Sequence, residues 1–182
     1  MRAALHVTVA AAIGLAASAC LGSSHATSSP RRAAGTDPVH GISIRLPQGW
    51  TLRRDPVPAL VEPALRFAVG SWPLPVGGNG CAPSRAIEAV PDRAALIWLY
   101  EYAPGHFRAQ DFAPEPRRFR LGELRGPAEC IGRRDYMVRF RAHGRAFQVE
   151  IILGRDAGGL RGTVTKLLSS IRVRAVDPPK GV

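Results

Sequence analysis

The chain has few cysteines, and their spacing limits the chemistry they can perform. Cys20, Cys81 and Cys130 are the only three in 182 residues. Structural zinc sites take pairs of ligands a few residues apart, and no cysteine here has a partner at C-x-x-C spacing. Nucleotide-binding glycine loops and the motifs of serine and zinc hydrolases are also missing. We therefore expect no metal site and no cofactor.

The sequence also lacks a long hydrophobic run. Its N-terminal apolar stretch, Leu5 to Ala17, has only about 13 residues, whereas a membrane-spanning helix needs about 20. The stretch follows Arg2 and ends in Ala17-Ser18-Ala19, the small-residue pattern of a cleavable secretory signal. The sequence therefore predicts a signal peptide over residues 1–19 and an exported protein.

The residues around the predicted cleavage site resemble a bacterial lipobox. In Ala17-Ser18-Ala19-Cys20, the cysteine would become the acylated N-terminus. The resemblance implies a lipoprotein that carries palmitate or a similar acyl chain on Cys20 and is anchored to the cell membrane outside the cytoplasm. Ordinary cleavage at the same bond, or after Ala26, gives a secreted soluble protein instead. Acylation would remove an otherwise unpaired exported thiol.

Cys81 and Cys130 are predicted to form a disulfide bond. Oxidation is the usual outcome for two cysteines outside the cytosol. Closing a loop of about 50 residues would stabilise the fold by roughly 4 kcal/mol in the chain-entropy model. A thiol nucleophile is the alternative, and it would need a nearby base such as His40, His106 or His143.

Lysine and asparagine are scarce, although the net charge is +11. Arginine supplies nearly all of the positive charge, with nine arginines between Arg117 and Arg145. Such a segment favours contact with anionic lipid or an anionic envelope polymer. A GC-rich genome produces the same arginine excess without selection for binding, and no nucleic-acid-binding motif is present, so no nucleic-acid partner is expected. The predicted anionic-surface contacts are Arg117, Arg118, Arg120, Arg139 and Arg141.

The pattern of apolar residues predicts one α+β domain over residues 39–175, after a flexible linker at 20–38 and before a disordered tail at 176–182. Strands are expected at 42–46, near 50–52, at 65–72, at 94–102 and around Phe119 and Leu121, with a proline-broken loop at 110–116. A short helix is expected at 84–90. The amphipathic positions from Leu160 to Ile171 predict a C-terminal helix on one face of a single antiparallel sheet, followed by a short strand at 172–174.

A hairpin is the clearest predicted element. If His143-Gly144 forms the turn, Phe140 faces Phe147 and Val138 faces Val149. The same register puts four polar residues together on the opposite face, which we expect to point outward: Arg139, Arg141, Gln148 and Glu150.

Two segments resemble the ends of PsbP-like domains of bacterial lipoproteins. Ile42-Ser43-Ile44-Arg45-Leu46-Pro47-Gln48-Gly49-Trp50 is similar to their opening strand, and residues 163–173 are similar to their closing helix and strand. The resemblance implies an α-β-α sandwich and a noncatalytic accessory protein, with no specific site.

The expected function is therefore a noncatalytic module that binds an envelope protein or another envelope component, not an enzyme. The alternative is a small-ligand domain with a pocket between sheet and helix, lined by Trp98 and Tyr100. A hydrolase or thiol enzyme is the third hypothesis. Its only acid-base candidate is His106, which is flanked by Glu101 and Asp111.

Overall fold

The structure, a computed structural model, describes residues 34–37, 40–54, 62–78, 82–122 and 135–175. The strands are β1 (Ala34–Asp37), β2 (Ile42–Arg45), β3 (Thr51–Arg53), β4 (Ala64–Gly70), β5 (Ala95–Tyr102), β6 (Ala113–Pro114), β7 (Tyr136–Ala142), β8 (Arg145–Leu153) and β9 (Arg172–Val173). The α-helices are α1 (Ser84–Glu88) and α2 (Arg161–Leu168). In these ranges no helix has the length and apolar character needed to cross a membrane.

The larger of two sheets has six strands in the order β3-β4-β5-β8-β7-β6. Its neighbouring strands are antiparallel except for the short parallel pair β6 and β7. Strand β5 lies inside the sheet and is buried from Ala95 to Glu101, as expected for an apolar run covered on both faces. The prediction of a central strand at 94–102 is confirmed.

The hairpin of β7 and β8 has the predicted register. Phe140 pairs with Phe147, and Val138 pairs with Val149. His143 and Gly144 have φ angles of 51° and 75°, the left-handed values that a two-residue hairpin turn of type I′ needs. Apolar residues of both strands therefore reach the same face of the sheet.

The smaller sheet contains β1, β2 and β9. Ile42 of β2 pairs with both Asp37 of β1 and Val173 of β9. The prediction of one antiparallel sheet, with residues 34–37 in a linker, is wrong: β1 pairs with β2 in a second sheet. Strand β1 is a four-residue segment with no apolar alternation, so its sequence gives no strand signal.

Buried side chains lie on both faces of the six-stranded sheet, which gives a mostly β protein of the mixed α+β class. The α2 face, named for the helix that covers it, packs against Val164, Leu167 and Leu168, and the smaller sheet packs there too. The opposite α1 face packs against Ala86 and Ile87 of α1.

The edge of the sheet beyond β7 differs from the prediction. Residues 113–114 form β6 where a loop was expected, and the segment around Phe119 and Leu121 is not a strand. Phe119 is buried because its ring lies edge-to-face on Phe140, with 5.2 Å between ring centres. Its backbone N–H donates to Ser169 Oγ at 3.1 Å, so the segment is held by a side chain after α2.

Candidate functional site

A cleft of about 430 Å³ lies beside the α1 face, where β5 ends and the following loop folds back. Its lining is both aromatic and charged: Tyr102, Gly105, His106, Phe107, Arg108, Asp111, Phe112 and Arg139. Gly105 has a φ of 84°, a left-handed value that glycine adopts without steric cost. This lets the chain reverse direction shortly after β5. The loop thereby brings residues 105–112 over side chains that project from β5 and β7.

Aromatic rings form one wall of the cleft. Phe112 lies edge-to-face with both Tyr102 and Phe107, at centre distances of 5.2 and 5.5 Å. This geometry is favourable for aromatic pairs and restricts the rings. Arg139 lies over Phe112, with its guanidinium carbon 5.7 Å from the ring centre. The cation and the aromatic wall are therefore one packed unit.

A buried amide holds Arg139 from below. Gln148 Oε1 accepts hydrogen bonds from Arg139 Nε at 2.7 Å and from the Tyr102 hydroxyl at 3.0 Å. The Gln148 amide nitrogen donates to Glu150 Oε1. The prediction that this polar face of the hairpin points outward is thus only half correct: Arg139 and Arg141 are exposed, whereas Gln148 and Glu150 are 7% and 5% exposed.

The tyrosines of this face remain protonated at neutral pH. Burial raises the pKa of the Tyr102 phenol, and the Arg139 charge opposes only part of that shift. Burial also raises the pKa of Tyr100, with Glu150 adding to the effect. Tyr102 can therefore act as the hydrogen-bond donor that Gln148 requires.

Trp98 and Tyr100 do not line this cleft. Trp98 is completely buried and Tyr100 is 6% exposed in the cluster under α1. The Trp98 side chain opposes part of the rise that burial causes in the pKa of the Tyr100 phenol. The Trp98 indole N–H has no hydrogen-bond acceptor in good geometry among the described residues. Both residues belong to the core. The next side chain of β5 on the same face is Tyr102, and it lines the cleft.

The predicted group of His106, Glu101 and Asp111 is not brought together. His106 and Asp111 line the cleft, where Asp111 accepts hydrogen bonds from Arg108 at 2.9 and 3.3 Å. Glu101 projects to the opposite face of the sheet, because it alternates with Tyr102 along β5. Across the described ranges, no three histidine, cysteine or acidic side chains are grouped so that they could hold a metal ion.

Glu101 forms a separate structural clamp with two arginines. Arg66 Nε and Arg145 Nε each lie 2.6 Å from one of its carboxylate oxygens. Arg145 also donates to the carbonyl oxygens of His40 and Arg174, at 2.8 and 3.2 Å. Burial alone would raise the pKa of Glu101, but the hydrogen bonds and charges of the two arginines outweigh it and lower that pKa. The clamp ties the smaller sheet to the larger one.

The other predicted arginines lie on β7 or in the segment that follows β6. Arg141 is on β7, next to Pro114 of β6, and three more follow β6 along the chain: Arg117, Arg118 and Arg120. All four are exposed, and within the described ranges none of their side chains takes part in an ion pair or hydrogen bond. We call these four residues the arginine edge. Of the five predicted contacts, only Arg139 lies in the cleft.

Sequence reasoning did not find the cleft itself. The sequence did place polar residues together on one face of the hairpin. It could not show that Gln148 of this face meets Tyr102, because that contact depends on the pairing of β5 with β8. The predicted lipidation at Cys20 and the predicted disulfide between Cys81 and Cys130 lie outside the described residues.

Comparison of the chain with models of protein families, with curated proteins and with solved structures gives no match.

Proposed function

We propose that this chain is a noncatalytic binding module of the cell envelope, which holds an anionic envelope polymer at its arginine edge. The observation that carries the proposal is the set of four exposed arginines on β7 and in the segment after β6, none of whose side chains has an acidic partner among the described residues. Unneutralised cations attract a polyanion over a distance set by the salt concentration.

The character of the exposed surface favours a polymer over a folded protein partner. Stable protein interfaces bury a central patch that is poor in charge and rich in aromatic residues. Among the described residues, Val76 is the only strongly exposed large hydrophobic side chain. The arginine edge offers charge without such a patch, which suits a flexible, highly charged ligand.

The proposed location follows from the N-terminal sequence. In the lipoprotein interpretation, acylated Cys20 contacts membrane lipid and keeps the domain outside the cytoplasm, with Cys81 and Cys130 joined as a disulfide. Mass spectrometry of the mature N-terminus tests whether Cys20 is acylated, and mass spectrometry of nonreduced peptides tests whether Cys81 and Cys130 form a disulfide. An unmodified N-terminus at Cys20 would instead favour the secreted form.

The PsbP-like, α-β-α sandwich interpretation is also part of this proposal. The two segments that carry the resemblance include β2 and β9, which pair with each other in the smaller sheet. Helices α1 and α2 pack on opposite faces of the larger sheet, an arrangement that supports a sandwich. Neither point depends on a catalytic site.

Binding of the purified full-length protein to dextran sulfate, measured over a series of salt concentrations, tests the proposed function. Replacing the four residues of the arginine edge with glutamine should weaken binding about tenfold or more, since each arginine near an anionic surface contributes on the order of 1 kcal/mol. The matched control removes the same charge from exposed sites elsewhere: Arg85, Arg93, Arg155 and Lys166.

Equal weakening by the two quadruple variants would mean that only net charge matters, and it would overturn the proposed edge. Vesicles containing anionic lipid provide a second probe. Binding to the vesicles but not to the polymer would identify the membrane surface as the ligand and contradict the polymer assignment.

A further inference from the structure

The most informative feature outside the arginine edge is the way in which Arg139 is held. Its Nε atom donates to Gln148 Oε1, and its guanidinium lies over Phe112. Its two terminal nitrogens have no acidic partner among the described residues, and the side chain also lies close enough to the Tyr102 hydroxyl to oppose part of the rise that burial causes in the pKa of that phenol. The guanidinium is thus fixed at its inner nitrogen and presents its outer two.

The group that holds Arg139 directly is a neutral amide, with the buried Glu150 carboxylate one hydrogen bond further away. Gln148 is 7% exposed, and its oxygen is also bound by the Tyr102 hydroxyl. A neutral amide anchors an arginine without neutralising it, unlike the carboxylate that receives Arg145. Arg139 therefore keeps its full charge at the cleft while losing much of its side-chain freedom, which lowers the entropic cost of binding an anion.

The remaining charges that line the cleft do not cancel Arg139. Arg108 and Asp111 form an exposed pair with each other, at 2.9 Å, so Arg139 is the lining residue whose charge has no partner in the lining itself. Burial raises the pKa of Tyr102, and two acidic groups outside the lining, Glu150 and Glu62, add to that rise. The terminal nitrogens of an arginine match the two oxygens of a carboxylate, and such bidentate pairs are among the stronger hydrogen-bonded contacts in proteins.

The rest of the cleft suits the body of such a ligand. Its volume of about 430 Å³ falls within the range of small-molecule sites. Phe107 provides partly exposed ring surface beside the cation, Phe112 is buried behind it, and His106 adds a polar group. A molecule that carries a carboxylate on a ring could pair its charge with Arg139 and place the ring against the aromatic wall.

We propose that this cleft binds a small ring-bearing carboxylate, with the carboxylate on the terminal nitrogens of Arg139 and the ring against Phe107, which Phe112 supports from behind. The site is independent of the arginine edge, because none of the residues of that edge lines the cleft. The ring can belong to an aromatic acid or to a sugar acid, and both present the same carboxylate to Arg139.

Isothermal titration of the full-length protein with benzoate and with glucuronate tests the proposal, with benzamide as the uncharged control. At least one carboxylate should bind, and benzamide should bind about tenfold or more weakly, because it loses the charge-assisted pair. Tighter binding of benzoate would assign an aromatic acid, and tighter binding of glucuronate a sugar acid. No binding of either at millimolar concentration, or equal binding of benzamide, would overturn the proposal.

Variants of Arg139 show whether the affinity comes from this residue. Arg139→Gln should weaken binding about tenfold or more, and Arg139→Lys should restore only part of it, because lysine keeps the charge but lacks the two-nitrogen fork. Arg141→Gln removes the same charge two residues away, outside the cleft, and should change the affinity less than about twofold.

Unchanged binding in Arg139→Gln, or equal losses in Arg139→Gln and Arg141→Gln, would contradict the site. Circular dichroism of each variant establishes that it is folded. The quadruple arginine-edge variant should still bind the carboxylate, so failure of this proposal can be told apart from failure of the proposed function.

Discussion

The two faces of the six-stranded sheet use arginine in different ways. On the α2 face, Arg145 is bound to the Glu101 carboxylate and to two backbone carbonyl oxygens. On the α1 face, Arg139 is bound to a neutral amide and leaves its outer nitrogens exposed. Both arginines lie on the same hairpin. The difference indicates that the first arginine supports the fold, whereas the guanidinium of the second is exposed at the cleft.

The two arginines differ because their hydrogen-bond acceptors differ: a carboxylate for Arg145 and an amide for Arg139. Glu101 is 9% exposed and receives an arginine at each of its carboxylate oxygens, so its charge is compensated where water is scarce. Gln148 is uncharged and lies between Arg139 and Glu150, so Arg139 has no carboxylate in direct contact. The buried Glu101 carboxylate therefore holds two arginines in place, whereas the buried Gln148 amide holds Arg139 and leaves its positive charge without a directly bound carboxylate.

The largest expected effect is the loss of the clamp. Glu101→Gln keeps the shape of the side chain but leaves Arg66 and Arg145 partly buried without a counter-charge, so we expect the free energy of unfolding to fall by about 3 kcal/mol. Denaturant unfolding measures the change. The control is Asp111→Asn, which breaks the exposed pair with Arg108 and should cost less than about 0.5 kcal/mol. Similar losses in the two variants would remove the contrast between clamp and cleft.

The clamp should also give the stability a defined pH dependence. The folded-state pKa of Glu101 lies below its ordinary value of 4.5, so folding favours the ionised carboxylate. Its contribution is present above pH 4.5 and is lost as the pH falls through the folded-state pKa. The stability difference between the wild-type protein and Glu101→Gln should therefore shrink in acid. A difference that stays constant, or that grows as the pH falls, would contradict this role.

A smaller effect is expected beneath the cleft. Tyr102→Phe removes the hydroxyl that donates to Gln148, while Arg139 still donates to the same oxygen. Since no acceptor is left without a donor, we expect a loss of about 1 kcal/mol in the free energy of unfolding. Thermal unfolding followed by circular dichroism measures it. A loss as large as that of Glu101→Gln would mean that the network under the cleft is itself a main support of the fold.

A small effect on stability is expected for the exposed arginine of the cleft. Arg139→Gln loses one hydrogen bond and a contact with Phe112, and should cost less than about 1 kcal/mol. Arg145→Gln is the matched variant on the same hairpin and should cost roughly 3 kcal/mol, because it leaves Glu101 with one arginine. Denaturant unfolding of the two variants measures the difference. Equal losses in the free energy of unfolding would refute the distinction between the two arginines.

Much of the fold was predictable because short stretches of sequence carry the periodicity and turn residues of the elements they form. The in-phase apolar residues of β7 and β8 and the His143-Gly144 turn predicted the observed register. The short strands β1 and β6 were missed, since they depend on a neighbouring strand and not on their own sequence. Phe119 alternates with arginines like a strand residue, but its burial comes from packing on Phe140.

The candidate site was less predictable than the fold. The sequence brought Arg139, Gln148 and Glu150 to one face of the hairpin, but it could not show that the two residues of β8 are buried while Arg139 is exposed. That outcome depends on the neighbouring β5, which supplies Tyr102. Likewise, the proximity of Glu101 to His106 in sequence suggested one site, whereas strand alternation sends Glu101 to the other face.

The central claim is that this domain binds anionic ligands through arginines that do not hold the fold. The most direct test is the affinity of the full-length protein for dextran sulfate, measured for the wild-type protein, the arginine-edge variant and the charge-matched control. The account predicts a loss of about tenfold or more for the edge variant alone, since each arginine contributes on the order of 1 kcal/mol. Equal affinities in the two variants would contradict it.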